Sequence, residues 1–211
     1  MTITSITRNE KDKSVYDVHI DNAYSFSVSE EDYFRLNLYE KREISEEELK
    51  LIKKTVSFAL AKTKALGYLS FKIRTAREVE DKLIKEGFSE DLTGNVVNDL
   101  KADGYINDML YVRKYIYDRN KLKPKAKRML AYELKKKGID DDTIADGLTE
   151  LKIDNILVAK ELICKKFRGC DLSDVKIKHK VFQFLRYRGF SESEIKKAIN
   201  EANNEMNEMN D

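Results

Sequence analysis

Three stretches of the sequence align with one another and decide the fold: KLIKEGFSEDL at 82–92, ELKKKGIDDDT at 133–143 and FLRYRGFSESE at 184–194. In this alignment Gly87, Gly138 and Gly189 share one column, each 51 positions after the one before. A leucine lies four positions before every one of these glycines, and an apolar residue follows it directly. Three such matches at equal spacing are rarely a product of chance, so the sequence predicts a tandem repeat.

Each copy has the pattern of a helix end followed by a helix start. A glycine just past a helix adopts the left-handed conformation that closes it, and the apolar residue after the glycine folds back onto the last turn. In KKKGIDDD (135–142) the lysines then lie at a helix C-terminus and the aspartates at the next N-terminus, where each charge gains about 0.3–1 kcal/mol from the helix dipole. A metal site at Asp140–Asp142 is the alternative. Adjacent residues at a helix start point in different directions, and no partner has calcium-loop spacing, so we interpret the acids as caps.

Helix starts recur outside the repeat columns as well. A hydroxyl followed three residues later by an acid is the capping-box pattern, and it occurs at Ser29, Ser45, Thr75 and Ser191. Pro124 suits the first turn of a helix, where its missing amide costs nothing. The predicted helices are 46–66, 76–86 and 91–102, then 107–121, 124–137 and 141–151, and finally 154–168, 175–188 and 192–205. The polar tail from Glu201 is expected to fray.

The first 28 residues have a different pattern. Alternating β-branched and aromatic residues at 15–20 and 24–28 predict strands, and Asp21-Asn22 between them is a two-residue turn signal. A hairpin or three-stranded sheet is marginal alone, so it should pack on a helix. The predicted domains are an N-terminal β-rich extension at 1–44 and three-helix repeats at 45–104, 105–152 and 153–211.

Composition supports an elongated helical array of such repeats. The chain has 211 residues, of which 41% are hydrophobic and 37% charged, with one proline and no tryptophan. The start MTITSITRNEKDK carries charges and no apolar run, and no window reaches 18 apolar residues, so neither a signal peptide nor a membrane span is expected. Cys164 and Cys170 are interpreted as reduced, packed thiols. A cytoplasmic monomer is expected.

Charge alternates along the repeats. Residues 113–137 contain eleven Lys/Arg and two acids, whereas 138–161 contain two and seven; residues 165–188 contain eight and two. If equivalent helices stack in register, their basic faces form a stripe that attracts a polyanion. Solvated helix faces without a partner are the alternative. The predicted binding residues are Lys72, Arg74, Arg77, Arg113, Lys123, Lys125, Lys127, Arg128, Lys135, Lys176, Lys178, Lys180, Arg186 and Arg188. Reversing the charges of Lys125, Lys127 and Arg128 is predicted to weaken binding without unfolding the chain.

No motif indicates catalysis. The phosphate-loop, dinucleotide-fold, serine-hydrolase and zinc-protease patterns do not occur in the sequence. Catalytic residues, cofactors and metals are therefore not expected. Tyr105, Tyr111, Tyr115 and Tyr117 could stack nucleic-acid bases, but the four-residue spacing of Tyr111 and Tyr115 favours a core stripe.

Several of these segments together resemble the RecX family of regulatory proteins. The resemblance runs from about residue 58 to residue 202, and the N-terminal strands resemble an extension in Gram-positive members. One departure is Lys72-Ile73-Arg74-Thr75, where the family often has Arg-Pro-Arg-Ser; another is Lys123, where a glycine commonly precedes the proline. The matching motifs are LGYLSFKIRTAREVEDKL at 66–83, GYIND at 104–108, YVR at 111–113, EL-x-x-KGI at 133–139 and FL-x-x-RGF at 184–190.

The resemblance implies a curved array of three tandem three-helix units that modulates the RecA recombinase. Such a protein lodges in the groove of the RecA filament on single-stranded DNA, with duplex DNA bound more weakly. There it blocks filament growth or promotes disassembly, and so lowers strand exchange, ATP hydrolysis and co-protease activity. The alternative is a helix-turn-helix transcription regulator, which needs Arg, Asn or Gln aimed at base edges.

Overall fold

The N-terminal segment forms a three-stranded antiparallel sheet in the order β1–β2–β3. The strands are β1 (Ile3–Arg8), β2 (Val15–Ile20) and β3 (Ala23–Ser29). The computed structural model describes residues 1–10 and 12–208, and outside this sheet it is mainly helical. The predicted β-rich start of the chain is thus confirmed, in its three-stranded form.

The tight turn between β2 and β3 is the one predicted from sequence. Asp21 and Asn22 have φ angles of 50° and 67°, and Ile20 pairs with Ala23 across the turn. Two successive left-handed residues make the turn whose twist matches that of the strands, and Asn and Asp tolerate that conformation.

The sheet does pack on helices. After β3 the chain forms α1 (Glu30–Arg35) and then the long α2 (Glu46–Leu69). Val18 of the sheet is fully buried in one cluster with Ile52 and Val56 of α2. A small sheet gains its stability from such a contact.

The remaining helices follow the predicted order of three groups of three, which we call modules. The first module is α2 with α3 (Ala76–Lys85) and α4 (Glu90–Ala102). The second is α5 (Asp108–Leu122), α6 (Lys127–Lys135) and α7 (Asp141–Glu150). The third is α8 (Asn155–Lys166), α9 (Val175–Tyr187) and α10 (Glu192–Glu208).

The middle helix of every module ends as the repeat predicts. Gly87, Gly138 and Gly189 have φ angles of 95°, 80° and 91°. In each copy the amide after the glycine donates to the carbonyl of the leucine five residues earlier, at 3.2–3.3 Å, and the glycine amide donates to the carbonyl three residues earlier. This pair of hydrogen bonds is the Schellman closure. The leucines, Leu83, Leu134 and Leu185, are fully buried.

The four capping boxes also form. Ser29 and Ser45 accept from the amides of Asp32 and Glu48. Thr75 and Ser191 accept in the same way from the residues three positions later, and in both boxes the acid accepts from the cap amide in return. The boxes at Thr75 and Ser191 therefore satisfy two amides each, and those at Ser29 and Ser45 satisfy one.

The chain divides into two compact units. One contains Met1–Lys72 and Val79–Tyr105; the other contains Ile73–Glu78 and the described residues from Ile106 onward. The first turn of α3 therefore belongs to the second unit. The predicted domain boundaries remain a prediction.

Within the second unit, the first turn of α3 docks on the second module. The Thr75 hydroxyl donates to the Lys137 carbonyl at 2.8 Å, and the Ala76 amide donates to the Asp108 carboxylate at 2.9 Å. Arg77 lies so close to Gly138 that a Cβ on the glycine would be 2.3 Å from the Arg77 Cβ. We call these contacts the first joint.

The start of α6 docks on the third module in an equivalent way, since Ala126 and Arg188 lie 51 positions after Thr75 and Lys137. The Ala126 amide donates to the Arg188 carbonyl at 3.1 Å, and the Lys127 amide donates to Asn155 at 2.9 Å. A Cβ on Gly189 would lie 2.7 Å from the Met129 Cβ. We call these contacts the second joint.

Two sequence predictions about helix limits are wrong. Pro124 precedes α6 instead of lying in its first turn, because the second joint holds the amides of Ala126 and Lys127 and so starts the helix at Lys127. The tail from Glu201 is helical to Glu208, since Ala202 is fully buried and Lys160 pairs with Glu205 at 2.8 Å. Residues 209–211 lie outside the described part of the chain.

Candidate polyanion-binding surface

The start of α9 exposes a group of cations. Lys176, Lys178 and Lys180 are all exposed, and the first turn contains no acid beyond the N-cap Asp174. The N-terminus of a helix carries a partial positive charge, so lysines there are unfavourable for the helix itself. An arrangement that costs local stability points to a role outside folding.

The first helix of the first module and the third helix of every module have the opposite charge pattern. The helices that begin at Glu46, Glu90, Asp141 and Glu192 all have acids in the first turn, as the helix dipole favours. α6 resembles α9 in having no acid in its first turn, although its N-cap, Ala126, makes no side-chain cap. Its Lys127 amide is held by Asn155 of the second joint.

Three of the predicted binding residues make contacts at or beside the two joints. Arg128 donates to the carbonyls of Gly189 and Phe190, the latter at 3.1 Å. The aliphatic part of Arg77 packs against Gly138. Arg188 accepts the Ala126 amide through its backbone, and its guanidinium lies 4.2 Å from the centre of the Phe184 ring.

Three more predicted residues, Arg113, Lys135 and Lys125, are in ion pairs. Arg113 pairs with Glu150 at 2.9 Å, and Lys135 pairs with Asp141 at 2.8 Å.

Lys125 bonds to Glu133, which also accepts from the Tyr115 hydroxyl at 2.8 Å. Burial raises the pKa of the Glu133 carboxyl, but the hydrogen bonds from Lys125 and Tyr115 outweigh burial, so its pKa lies below its ordinary value. This carboxylate stays charged and keeps Lys125 engaged.

The remaining predicted cations differ in their surroundings. Arg74 is half-buried and contributes to the field that lowers the pKa of Glu78. Within the described residues, no ion pair involves the side chains of Lys72, Lys123, Lys127, Lys176, Lys178, Lys180 and Arg186. Of these seven, Lys72 lies in the first compact unit and the other six lie in the second.

The four tyrosines separate into two pairs. Tyr111 and Tyr115 are half-buried against the second module's core, with ring centroids 6.1 Å apart and planes 16° from parallel. The core interpretation is therefore confirmed for this pair. Tyr105 and Tyr117 are exposed.

The acids at 140–142 act at a helix start. Asp140 accepts from the Thr143 amide at 2.8 Å, which confirms its role as a cap. Across residues 1–10 and 12–208, no group of three or more His, Cys, Asp or Glu side chains is arranged to hold a metal ion. Cys164 and Cys170 are free, half-buried thiols against the core of the third module.

Sequence reasoning missed one cluster of cations. Lys121, Lys165 and Lys166 lie with Arg188 around a single cavity, although none of the three lysines was selected as a binding residue. The counts of bases at 113–137 and 165–188 included them, but the choice of sites followed the middle helices. The cluster forms where the ends of α5 and α8 meet α9, which spacing along the chain does not show.

Comparisons with known proteins agree with this architecture. Models of the RecX first, second and third three-helix domains match residues 61–100, 107–148 and 158–199, and a model of the regulatory protein RecX N-terminal domain matches residues 1–45. A regulatory protein RecX from Streptococcus pneumoniae is 35% identical over 205 residues, which cover 96% of this chain and 79% of the relative.

The chain belongs to the RecX family. A crystal structure of regulatory protein RecX is similar with a TM-score of 0.68 and 25% identity, over 92% of this chain and 97% of that one. A crystal structure of RecX from Lactobacillus salivarius has a TM-score of 0.59 and 28% identity, over 69% of this chain and 96% of that one. The Streptococcus pneumoniae relative and the first of these two structures are named as regulatory proteins and not as enzymes. In the described part of the chain, no helix is both long and apolar enough for a membrane span.

Proposed function

We propose that this RecX family member binds the RecA filament on single-stranded DNA and lowers its activity. The observation that carries the proposal is the start of α9, where Lys176, Lys178 and Lys180 are exposed and form no ion pair with the described residues. Lys176 and Lys178 lie in the first turn and oppose the helix dipole. A phosphate or carboxylate group bound beside these lysines offsets their unfavourable interaction with the helix dipole. In the unbound protein that unfavourable interaction remains.

The chemistry of this surface favours a phosphate backbone over base edges. A lysine ammonium is a compact point charge suited to phosphate, whereas base readout depends on the planar groups of Arg, Asn and Gln. Each phosphate neutralised on a single strand lowers the logarithm of the binding constant by about 0.7 for each tenfold rise in salt. Lys127 and Lys123 near the start of α6 extend the same chemistry.

Binding along the filament explains regulation without catalysis. A protein in the filament groove blocks the addition of RecA subunits or favours their loss, and so lowers strand exchange, ATP hydrolysis and co-protease activity together. This function requires a cytoplasmic protein, and that location is part of the proposal.

The test adds the protein to preformed RecA filaments on single-stranded DNA and follows ATP hydrolysis and filament length. Stoichiometric amounts should lower both at moderate salt. Unchanged hydrolysis and length would refute the proposal. A competition between random and selected duplexes separates the helix-turn-helix alternative, which requires strong sequence preference.

A further inference from the structure

A half-open cavity of about 470 Å³ lies between the end of α5, the helix α8 and the end of α9. Its volume is within the range of small-molecule sites. Four of its side chains are cations and one, Glu161, is an acid, so the cavity is strongly positive. The cations are Lys121, Lys165, Lys166 and Arg188.

The cations crowd around one aromatic ring. The Lys166 ammonium lies 3.9 Å from the centre of the Phe184 ring, and the Arg188 guanidinium lies 4.2 Å from the same point. The two charges are therefore no farther apart than the sum of these distances. Each cation is attracted to the electron-rich face of the ring, and an anion bound beside them would be attracted to both charges, so the site favours a negatively charged group.

Two residues that line the cavity each have one buried polar atom without a hydrogen bond within the described chain. The two atoms are the Nε of Arg188, a donor, and the Oδ1 of Asn120, an acceptor. Buried polar groups are nearly always paired, so each one left without a partner requires an explanation. Both residues line the cavity, so a ligand with an anionic acceptor and a polar donor can pair these atoms once the two side chains turn toward it.

The rest of the wall is apolar. Leu122, Pro124, Val158 and Leu162 line the cavity, which suits the flat apolar face of a nucleobase. Lys176 and Lys180 precede Phe184 on α9 at intervals of four residues, so this row of cations runs along one helix face toward the cavity.

We infer that this cavity binds one nucleotide unit, with the phosphate on Lys166 and Arg188 and the base edge on Asn120. The inference rests on the proposed function in one respect: the nucleotide is taken to be an unpaired one in the single-stranded DNA of the filament. A paired and stacked base cannot enter a cavity, so the site discriminates single strands from duplexes.

The experiment measures affinities for a fluorescent thymidine oligonucleotide and for a duplex of equal length at one salt concentration. Lys166→Gln removes an exposed cation of the cavity, and Lys178→Gln is its charge-matched control outside the cavity. Lys166→Gln should weaken single-strand binding about fivefold or more and duplex binding less than twofold. Lys178→Gln should weaken both alike.

Two further variants separate the cavity from general electrostatics. Asn120→Leu changes no charge and removes an unpaired acceptor, so it should leave the melting temperature unchanged or higher while weakening single-strand binding. Glu161→Gln removes the cavity's acid and should tighten single-strand binding, whereas Asp146→Asn, an equal change of charge on α7, should not.

Parallel changes for single strands and duplexes, or no change in any cavity variant, overturn the inference and leave filament regulation standing. Failure of the unchanged protein to affect RecA filaments refutes the proposed function separately. Titration with free ATP and thymidine monophosphate identifies the source of the nucleotide. If the protein binds either mononucleotide and the cavity variants weaken that binding, the cavity is supported as a site for a free nucleotide.

Discussion

The two joints of the second unit both connect the start of one middle helix to the glycine end of the next, but they use different side chains. In the first, the Thr75 hydroxyl bonds the Lys137 carbonyl; in the second, the Ala126 amide bonds the equivalent carbonyl of Arg188. The first is completed by an ion pair between Lys137 and Glu78 at 2.6 Å, and the second by Arg128 on backbone carbonyls.

The difference shows that the repeat preserves backbone positions and allows the side chains to vary. Both joints need a glycine without a Cβ and a side chain that caps the first helical amide, Asp108 in one and Asn155 in the other. The cations around the two joints can therefore differ in role: some stabilise the joint and others are exposed to a binding partner. Charge counts along the sequence do not separate these two uses.

The largest loss of stability is expected at the buried leucine near the end of the middle helix of the second and third modules. Leu134→Ala and Leu185→Ala should each destabilise the protein by about 2–5 kcal/mol, because both side chains are fully buried in their cores. Denaturant unfolding measures this loss. A loss below 1 kcal/mol in only one of them would show that the two modules are not packed alike.

The next effect distinguishes joint glycines from a glycine outside the joints. Gly138→Ala and Gly189→Ala should each cost more than about 2 kcal/mol, since a left-handed alanine is strained and its Cβ would meet Arg77 or Met129 below 3 Å. Gly87→Ala is the matched control, because its φ is similar but nothing lies within 4 Å of the added Cβ, so about 1–2 kcal/mol is expected. Equal losses in all three, measured by thermal unfolding, would argue against the joints.

Arg128 tests the second joint alone. Arg128→Met keeps the aliphatic stem but removes the hydrogen bonds to Gly189 and Phe190, and should cost about 1–2 kcal/mol after allowance for its exposure. Arg186→Met removes the same charge from an exposed residue that forms no ion pair with the described residues, and it should leave the melting temperature unchanged. If both variants melt alike, Arg128 is a surface cation.

The smallest effect belongs to the ion pair of the first joint and depends on pH. Burial raises the pKa of the Glu78 carboxyl, but hydrogen bonds from Lys137 and the Thr75 amide outweigh it, so the pKa lies below its ordinary value of 4.5. A carboxyl with a lower pKa in the folded state stabilises the fold above its unfolded pKa and loses that contribution as pH falls through the folded pKa.

Glu78→Gln should therefore cost up to about 1 kcal/mol at neutral pH, because the pair is partly exposed. The difference from the unchanged protein should shrink as the pH falls below 4.5. Unfolding curves at several pH values measure it. A difference that grows toward low pH would contradict the role given to Glu78.

Local signals in the sequence account for most of the fold. Each glycine with its following apolar residue marks a helix end, and each capping box marks a start, because these contacts join residues three to five positions apart. The start of α6 could not be predicted in this way, since its amides are held by Asn155 and Arg188, far along the chain. Pro124 was therefore assigned to the wrong side of that start.

The candidate site was less predictable for the same physical reason. Arg128 looks like a binding residue by charge, yet its partners lie 61 and 62 residues away. Lys165 and Lys166 gain their significance from Phe184 and Arg188, which only the packing of α8 on α9 brings near. The exposed lysines at the start of α9 were identified because local sequence determines both their charge and their helix.

One measurement tests most directly whether the cations of α9 bind while those of the joints hold the fold. Lys176, Lys178 and Lys180 are changed together to Gln, and ATP hydrolysis by RecA filaments on single-stranded DNA is followed at increasing protein concentration. We predict that inhibition is largely lost while the melting temperature stays the same, and that the salt dependence of DNA binding falls by about 2 in logarithmic slope. Inhibition equal to that of the unchanged protein would contradict the account.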